Sequence, residues 1–120
     1  MFILDLKLSN VGTSRVAEVE IAPAFLVARF GSPLDGDGYR VTGQYYFKTL
    51  DGDLFTVYDY KATAAYLGDE EDALWPEQFW SCYESQELSV GGRGDYGDGS
   101  AKEFIDWLLA EQHNWWSASE

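Results

Sequence analysis

Apolar and polar side chains alternate most regularly between Tyr39 and Lys61, in the stretch YRVTGQYYFKTLDGDLFTVYDYK. A period of two is the pattern of half-buried β-strands. Two such runs flank the turn residues Leu50-Asp51-Gly52. The stretch therefore predicts a β-hairpin, and the rest of the chain is interpreted around it.

The register of this hairpin depends on the length of its loop. A two-residue turn at Asp51-Gly52 would place Phe47 opposite Thr56. A three-residue loop that starts at Leu50 places Phe47 opposite Phe55 instead. We favour the longer loop because it unites the apolar sides and gives Gly52 a left-handed conformation at no steric cost. The other side carries further large side chains, so we expect both faces of the sheet to be partly covered: Tyr46, Leu54, Tyr58 and Tyr60.

Two earlier stretches, residues 2–8 and 15–21, also alternate, and turn residues 10–14 separate them. We expect a second hairpin here. Glu18 and Glu20 fall on one side of its second strand. Residues 86–90 suit a fifth strand, whereas residues 34–38, 68–73 and 91–99 are rich in Gly and acidic residues and predict loops.

Helical signals lie between and after these strands. Pro23 suits the first turn of a helix over residues 22–30 that Gly31 ends. Residues 62–67 are consistent with a helical turn, and Pro76 begins a short helix over residues 76–84.

The last helix begins with a capping box, Ser100 with Glu103. One face is apolar: Phe104, Ile105, Leu108 and Leu109. The opposite arc carries Glu103, Asp106 and Glu111, with Trp107 among them, so we expect it to face water. Trp115 and Trp116 are interpreted as a hydrophobic latch near the end.

Together these elements predict one α+β domain over residues 1–120. Its antiparallel sheet would have about five strands, two hairpins plus one strand, packed by a C-terminal amphipathic helix and two short helices. With 120 residues and 46% hydrophobic content, the chain is long enough to bury a core. No apolar run has the length of a membrane span.

The chain is strongly acidic. It has 21 acidic and only 8 basic residues, and its net charge is −13. Residues 1–61 carry a net charge of −2, whereas residues 62–120 carry −11. A chain of this charge repels nucleic acid and anionic membranes and attracts basic surfaces. The residues proposed to bind a partner come from this second half: Asp69, Glu70, Glu71, Asp72, Glu77, Asp95, Asp98, Glu103, Asp106, Trp107 and Glu111.

Residues able to carry catalysis are scarce. His113 is the only histidine, and its place near a helix end favours a structural role. Cys82 lies among aromatic residues and is interpreted as a buried, inert thiol, which fits a reduced intracellular compartment. The N-terminus lacks a basic region and a cleavage site, so we expect no signal peptide. We therefore expect no enzyme activity.

Ligand motifs are equally weak. Asp35-Gly36-Asp37-Gly38 and Asp51-Gly52-Asp53 are interpreted as turns rather than calcium loops, because neither continues to the glutamate that an EF-hand requires. The segment 91–99, GGRGDYGDG, lacks the Lys-Ser/Thr of a phosphate-binding loop. We expect no metal and no cofactor.

Three short motifs are similar to a type of small acidic bacteriophage protein: Phe30-Gly31-Ser32-Pro33, Gly38-Tyr39 and Tyr58-Asp59-Tyr60-Lys61-Ala62-Thr63. The resemblance covers about residues 30–66. It implies a phage or mobile-element origin, and small acidic proteins from that source often block host-defence nucleases. No binding residue is carried over from it.

The first functional hypothesis is therefore a non-enzymatic inhibitor in the host cytoplasm. Its DNA-mimicking carboxylates would dock on a basic nucleic-acid-binding complex, a CRISPR effector or a restriction enzyme. The alternative is a non-catalytic interaction or assembly module whose acidity serves only solubility. A small-molecule binder or hydrolase is the third hypothesis, and a deep pocket ringed by carboxylates would favour it.

Overall fold

The structure is a computed structural model that describes residues 2–5, 7, 13–60, 63–68, 73–93 and 100–118. Within these residues the chain forms six strands and four helices. In chain order they are β1 (Ile3–Leu4), β2 (Thr13–Ile21), α1 (Pro23–Phe30), β3 (Leu34–Asp35), β4 (Gly43–Lys48), β5 (Leu54–Tyr58), α2 (Ala64–Leu67), α3 (Pro76–Trp80), β6 (Gln86–Arg93) and α4 (Ser100–Ala118).

The strands form one antiparallel sheet in the order β1-β4-β5-β6-β2, and the short β3 also pairs with β4. The predicted α+β class is confirmed, with six described strands where about five were expected. One face of the sheet, here called the inner face, carries the core side chains and packs against the helices. The opposite face is called the outer face.

The central hairpin has the predicted register. Phe47 pairs with Phe55 and Tyr45 pairs with Val57. The N–H of Thr49 donates to the carbonyl oxygen of Asp53 at 3.0 Å, which leaves a three-residue loop. Gly52 within this loop has a φ of 90°, which an L side chain adopts with strain. The first strand is shorter than expected, because the residues from Tyr39 to Thr42 lie outside it.

The predicted N-terminal hairpin is wrong. Ile3 pairs with Lys48 in β4, and the long strand β2 pairs with β6 instead. Phe2 explains part of the difference, because its ring packs against those of Phe55 and Phe104 at 5.8 and 5.2 Å. The aromatic core thus holds the N-terminal segment beside the central hairpin.

Two predicted loops are partly strand. Residues 34–38 begin with the bridge Leu34–Asp35, and residues 91–93 extend β6. A Cβ atom on Gly91 would collide with Oγ1 of Thr56 on the neighbouring strand. This glycine therefore marks a close approach of two strands rather than a flexible loop. The rest of that loop, residues 94–99, and most of the loop 68–73 lie outside the described residues.

The predicted helices are confirmed, with different lengths. Helix α1 spans Pro23–Phe30, and Gly31, whose φ is 88°, follows its last residue. Helix α3 stops at Trp80, earlier than expected, and α4 continues to Ala118. None of the described helices combines the length and apolar character needed to cross a bilayer.

The core lies between the inner face and helices α1 and α4. The ring of Phe104 stacks on that of Phe55 with 4.8 Å between centroids and 5° between planes. Trp115 packs against Phe25 of α1 at 5.6 Å, as expected of a latch, whereas Trp116 is exposed and is not among the residues packed on the core. The outer face is also covered over β4 and β5, as expected, since Tyr46 and Leu54 are buried.

Candidate acidic interface

The carboxylates predicted to form one acidic surface are only partly described. Six of them fall outside the described residues: Asp69, Glu70, Glu71, Asp72, Asp95 and Asp98. The others lie on two separate helices. Glu77 is in the first turn of α3, where its charge complements the helix dipole. Glu103, Asp106 and Glu111 lie on α4.

Two of the three acidic residues on α4 have basic partners. The ammonium group of Lys102 donates to the Asp106 carboxylate at 2.6 Å, and this hydrogen bond raises the pKa of Lys102. Glu111 lies 3.7 Å from the guanidinium group of Arg29. Glu103 is exposed. The helix therefore presents a mixed surface of ion pairs rather than a continuous row of uncompensated carboxylates.

Trp107 does not lie on the exposed arc, and this part of the interpretation is wrong. Its indole packs against the rings of Phe2 and Phe47, with centroids 5.3 and 5.8 Å away. The residue is half-buried at the edge of the core. The aromatic N-terminal segment occupies this side of α4, so burial rather than partner contact explains the tryptophan.

A different group of carboxylates is brought together by the sheet. Glu20 of β2 lies directly opposite Glu87 of β6, and Glu18 lies two positions before Glu20. All three are exposed and point to the outer face, because their neighbours Val19 and Leu88 point into the core. We call Glu18, Glu20 and Glu87 the acidic sheet face.

The electrostatics of the acidic sheet face are unbalanced. Directly opposite residues have Cβ atoms about 4.5–5.5 Å apart, and like charges in such a pair are destabilising. Glu18 has a partner on its own strand, the guanidinium group of Arg15. Among the described residues, neither Glu20 nor Glu87 has a basic group within 4.0 Å. The fold thus holds two carboxylates together without local compensation.

Sequence reasoning placed two of the three residues of this face on one side of a strand. The alternation of residues 15–21 places Glu18 and Glu20 on one side, as expected. The charge distribution does not point to these two residues, because they belong to the nearly neutral first half of the chain. Glu87 is far away in sequence, and only the pairing of β2 with β6 places it beside them.

The hypothesis of a small-molecule site directs attention to a cleft lined by acidic residues. A cleft of about 460 Å³ lies between the loop of the central hairpin and the start of α4. The carboxylates of Asp51, Asp53 and Glu103 line it, and no histidine or cysteine does. No group of three metal-binding side chains occurs among the described residues. Asp51-Gly52-Asp53 acts as a turn, as predicted. Asp35 belongs to β3, and only the residues after it form a turn, in which Asp37 Oδ1 accepts from the N–H groups of Tyr39 and Val41.

Among the described residues, no nucleophile–base pair is formed by Cys82 or His113. Cys82 is half-buried rather than fully buried. Its thiol donates to the Glu84 carbonyl oxygen at 3.6 Å and accepts from Gln86 Nε2 at 3.5 Å. His113 is exposed on α4.

One of the motifs that carry the phage resemblance contains a buried carboxylate, that of Asp59. Asp59 is fully buried and accepts hydrogen bonds from the N–H groups of Thr42 and Gly43 at 2.8 and 3.0 Å, and from the hydroxyl group of Thr42. Burial raises the pKa of Asp59. The indole N–H of Trp80 donates to Thr42 Oγ1 at 3.1 Å, and a Cβ atom on Gly43 would lie 2.6 Å from this ring. These residues join the end of β5 to the start of β4, so their role is structural.

An aromatic cluster lies at the other end of α4. Tyr83, which is 65% exposed, stacks on Trp115 with 11° between their planes. Trp116, which is 38% exposed, lies against both. Rings exposed in this way are frequent in protein interfaces.

Comparison with known proteins adds no assignment: no protein-family model matches the chain, and no curated protein matches it significantly.

Proposed function

We propose that the protein is a non-enzymatic inhibitor of the phage type, which binds a basic nucleic-acid-binding complex of the host, such as a CRISPR effector or a restriction enzyme. Its carboxylates would occupy the place of DNA phosphates. The observation that carries the proposal is the direct opposition of Glu20 and Glu87, with Glu18 beside them. A repulsive arrangement that the fold does not need is explained by a partner that supplies the opposite charge.

The spacing of these residues supports mimicry. Two steps along a strand advance about 6.7 Å, so Glu18 and Glu20 are separated by roughly this length along β2. Successive phosphates of one DNA strand advance about 3.4 Å along the axis. The separation of the two carboxylates along β2 thus equals about two such steps along the DNA axis. The net charge of −13 would accelerate encounter with a basic groove.

The test is a competition experiment. Candidate nucleases are loaded with labelled DNA, and the protein is titrated against each complex. One variant carries Lys at Glu18, Glu20 and Glu87; the matched control carries Lys at Asp51, Glu77 and Glu103, which are also exposed. Both variants have the same net charge. We expect the first to lose displacement of DNA and the control to retain most of it. Equal loss in both would show that only total charge matters and would refute the assignment of this face.

The second candidate function is a protein-interaction module that binds through aromatic rings. The exposed stack of Tyr83 on Trp115 favours it. Such a contact would be insensitive to salt, since it buries rings rather than pairing charges. Sedimentation with and without partner at two ionic strengths distinguishes the candidates. Replacing Tyr83 and Trp116 with Ser would abolish only the second kind of binding.

A further inference from the structure

We infer that the partner contacts the protein by adding a β-strand to β2, and that this added strand alternates basic and apolar side chains. The inference rests on the proposed function and specifies its mode of contact. Strand β2 is at the end of the sheet: β6 pairs with one side of it, and no described strand pairs with the other. Backbone N–H and C=O groups on such an edge are available to pair with another chain.

The usable part of this edge lies after a β-bulge. The register between β2 and β6 shifts between Arg15 and Ala17, and it is continuous from Ala17 to Ile21. Five residues in regular register span about 17 Å. This length is sufficient for an extended peptide segment to pair with the strand.

Charge on the outer face determines what this segment carries. A strand that pairs with residues 17–21 places alternate side chains next to Glu18 and Glu20, with Glu87 one strand further in. Cross-strand pairs of opposite charge stabilise a sheet, and like charges destabilise it. The outward side chains of the added strand are therefore Lys or Arg.

The inner face determines the intervening side chains. Helix α4 packs over β2, and Gln112 Oε1 accepts from the N–H of Ala22 at 2.7 Å. Ile105 lies seven residues before Gln112 and Leu109 three before, so both are on this side of the helix. Leu109 is 37% exposed and Ile105 is half-buried. Inward side chains of an added strand would lie beside these apolar residues and are therefore apolar themselves.

A second copy of this chain is a poor occupant of the same edge. If two β2 strands paired antiparallel about Val19, Glu18 of each copy would lie opposite Glu20 of the other. Four carboxylates would then share one face, between two molecules that each carry a charge of −13. The edge thus rejects its own copy and accepts a basic strand.

The test uses synthetic peptides as probes of this chemistry. The first alternates lysine and valine over seven residues. The second has the same composition with the lysines in one block. The third has the sequence of the first, with every second backbone nitrogen methylated. It is prepared in two versions, one for each edge of the peptide strand, so that in one version the methyl groups face β2. Binding is measured by calorimetry, and the amides of β2 are followed by NMR and hydrogen exchange.

We expect the alternating peptide to bind at least about tenfold more tightly than the block peptide, a difference of about 1.4 kcal/mol, and to protect amides of β2 from exchange. The version whose methyl groups face β2 should not bind. The variant with Lys at Glu18 and Glu20 should lose binding, whereas the control with Lys at Asp51 and Glu77 should not. Circular dichroism and thermal melting confirm that each variant is folded.

Three results would overturn the inference. Equal binding of methylated and unmethylated peptides would mean that charge acts without strand addition, and the proposed function would stand without this mode. Unchanged peptide binding to the Glu18 and Glu20 variant would mean that the partner strand is not selected by charge. Dimerisation of the protein through β2, seen by sedimentation and by protection of β2 amides without peptide, would identify a second copy as the occupant.

Discussion

Replacing Glu87 with Lys should stabilise the protein while it weakens partner binding. Glu87 lies directly opposite Glu20 on exposed positions of adjacent strands. With carboxylates about 6 Å apart in water, the repulsion is about 0.7 kcal/mol. Physiological salt, with a Debye length of about 8 Å, reduces it by about half. The substitution removes this screened repulsion and adds an attraction of similar size. The expected stabilisation is therefore about 0.7 kcal/mol, within the range of about 0.2–1 kcal/mol for cross-strand pairs.

The assay is urea denaturation followed by tryptophan fluorescence. With a slope of about 2 kcal/mol per M, the midpoint should rise by about 0.3 M in physiological salt. In 1 M salt the Debye length is about 3 Å, and the gain should largely disappear.

The matched control for this experiment is Glu84→Lys. Glu84 is exposed and lies before β6, outside the strand ladder. The substitution makes the same change in net charge without changing a cross-strand pair, so it should give a smaller stabilisation. Equal stabilisation by both variants, or destabilisation by Glu87→Lys, would refute the reasoning that Glu20 and Glu87 oppose each other.

Three further predictions concern the stability of the fold that positions the acidic sheet face. Phe104→Ala should destabilise the fold by about 3–5 kcal/mol, because it removes a fully buried ring stacked on the sheet. Thermal and urea unfolding measure this loss, and a loss below about 1 kcal/mol would contradict the packing described. Gly43→Ala should cost about 1–3 kcal/mol, since its Cβ would lie 2.6 Å from the ring of Trp80; a neutral effect on the urea midpoint would argue against this contact. Asp59 should make stability depend on pH, because its pKa is raised in the folded state. The folded state therefore holds the proton more tightly than the unfolded state. The resulting stabilisation is lost as pH rises from the ordinary pKa of 3.8 through the raised pKa of the folded state. The unfolding free energy of the wild type minus that of Asp59→Asn should therefore increase as pH falls from 7 to 4, and the opposite slope in urea titrations would refute the assignment.

The local features of the fold could be predicted from sequence. The hairpin register follows from alternation and turn chemistry within a few residues, and the pairing of Phe47 with Phe55 confirms it. The N-terminal hairpin was predicted by the same logic and is wrong. The local pattern of residues does not show that Phe2 fits among the core rings. It also does not show that β2 pairs with β6 rather than with the N-terminal strand β1.

Two errors have the same physical origin. Glycine permits both mobility and close approach, and only the position of Thr56 shows that Gly91 serves the second purpose. A helical wheel separates polar from apolar arcs, but it does not reveal which neighbours cover the margin of α4. Trp107 lies on that margin and packs on Phe2 and Phe47.

The candidate site shows the same limit. Charge composition directs attention to carboxylates, but it does not show which of them share a face. Glu103, Asp106 and Glu111 share a helix, yet two of them pair with bases. Glu20 and Glu87 meet only through pairing of strands that are distant in sequence.

The most direct measurement of the central claim is the affinity for a DNA-binding host-defence enzyme at two salt concentrations. It compares the wild type with the variant that carries Lys at Glu18, Glu20 and Glu87. We predict that the wild type displaces DNA and that its affinity falls with salt, whereas the variant binds at least about tenfold more weakly, a loss of 1.4 kcal/mol or more. Equal affinity of the two proteins at both salt concentrations would contradict the claim that this sheet face is the binding surface.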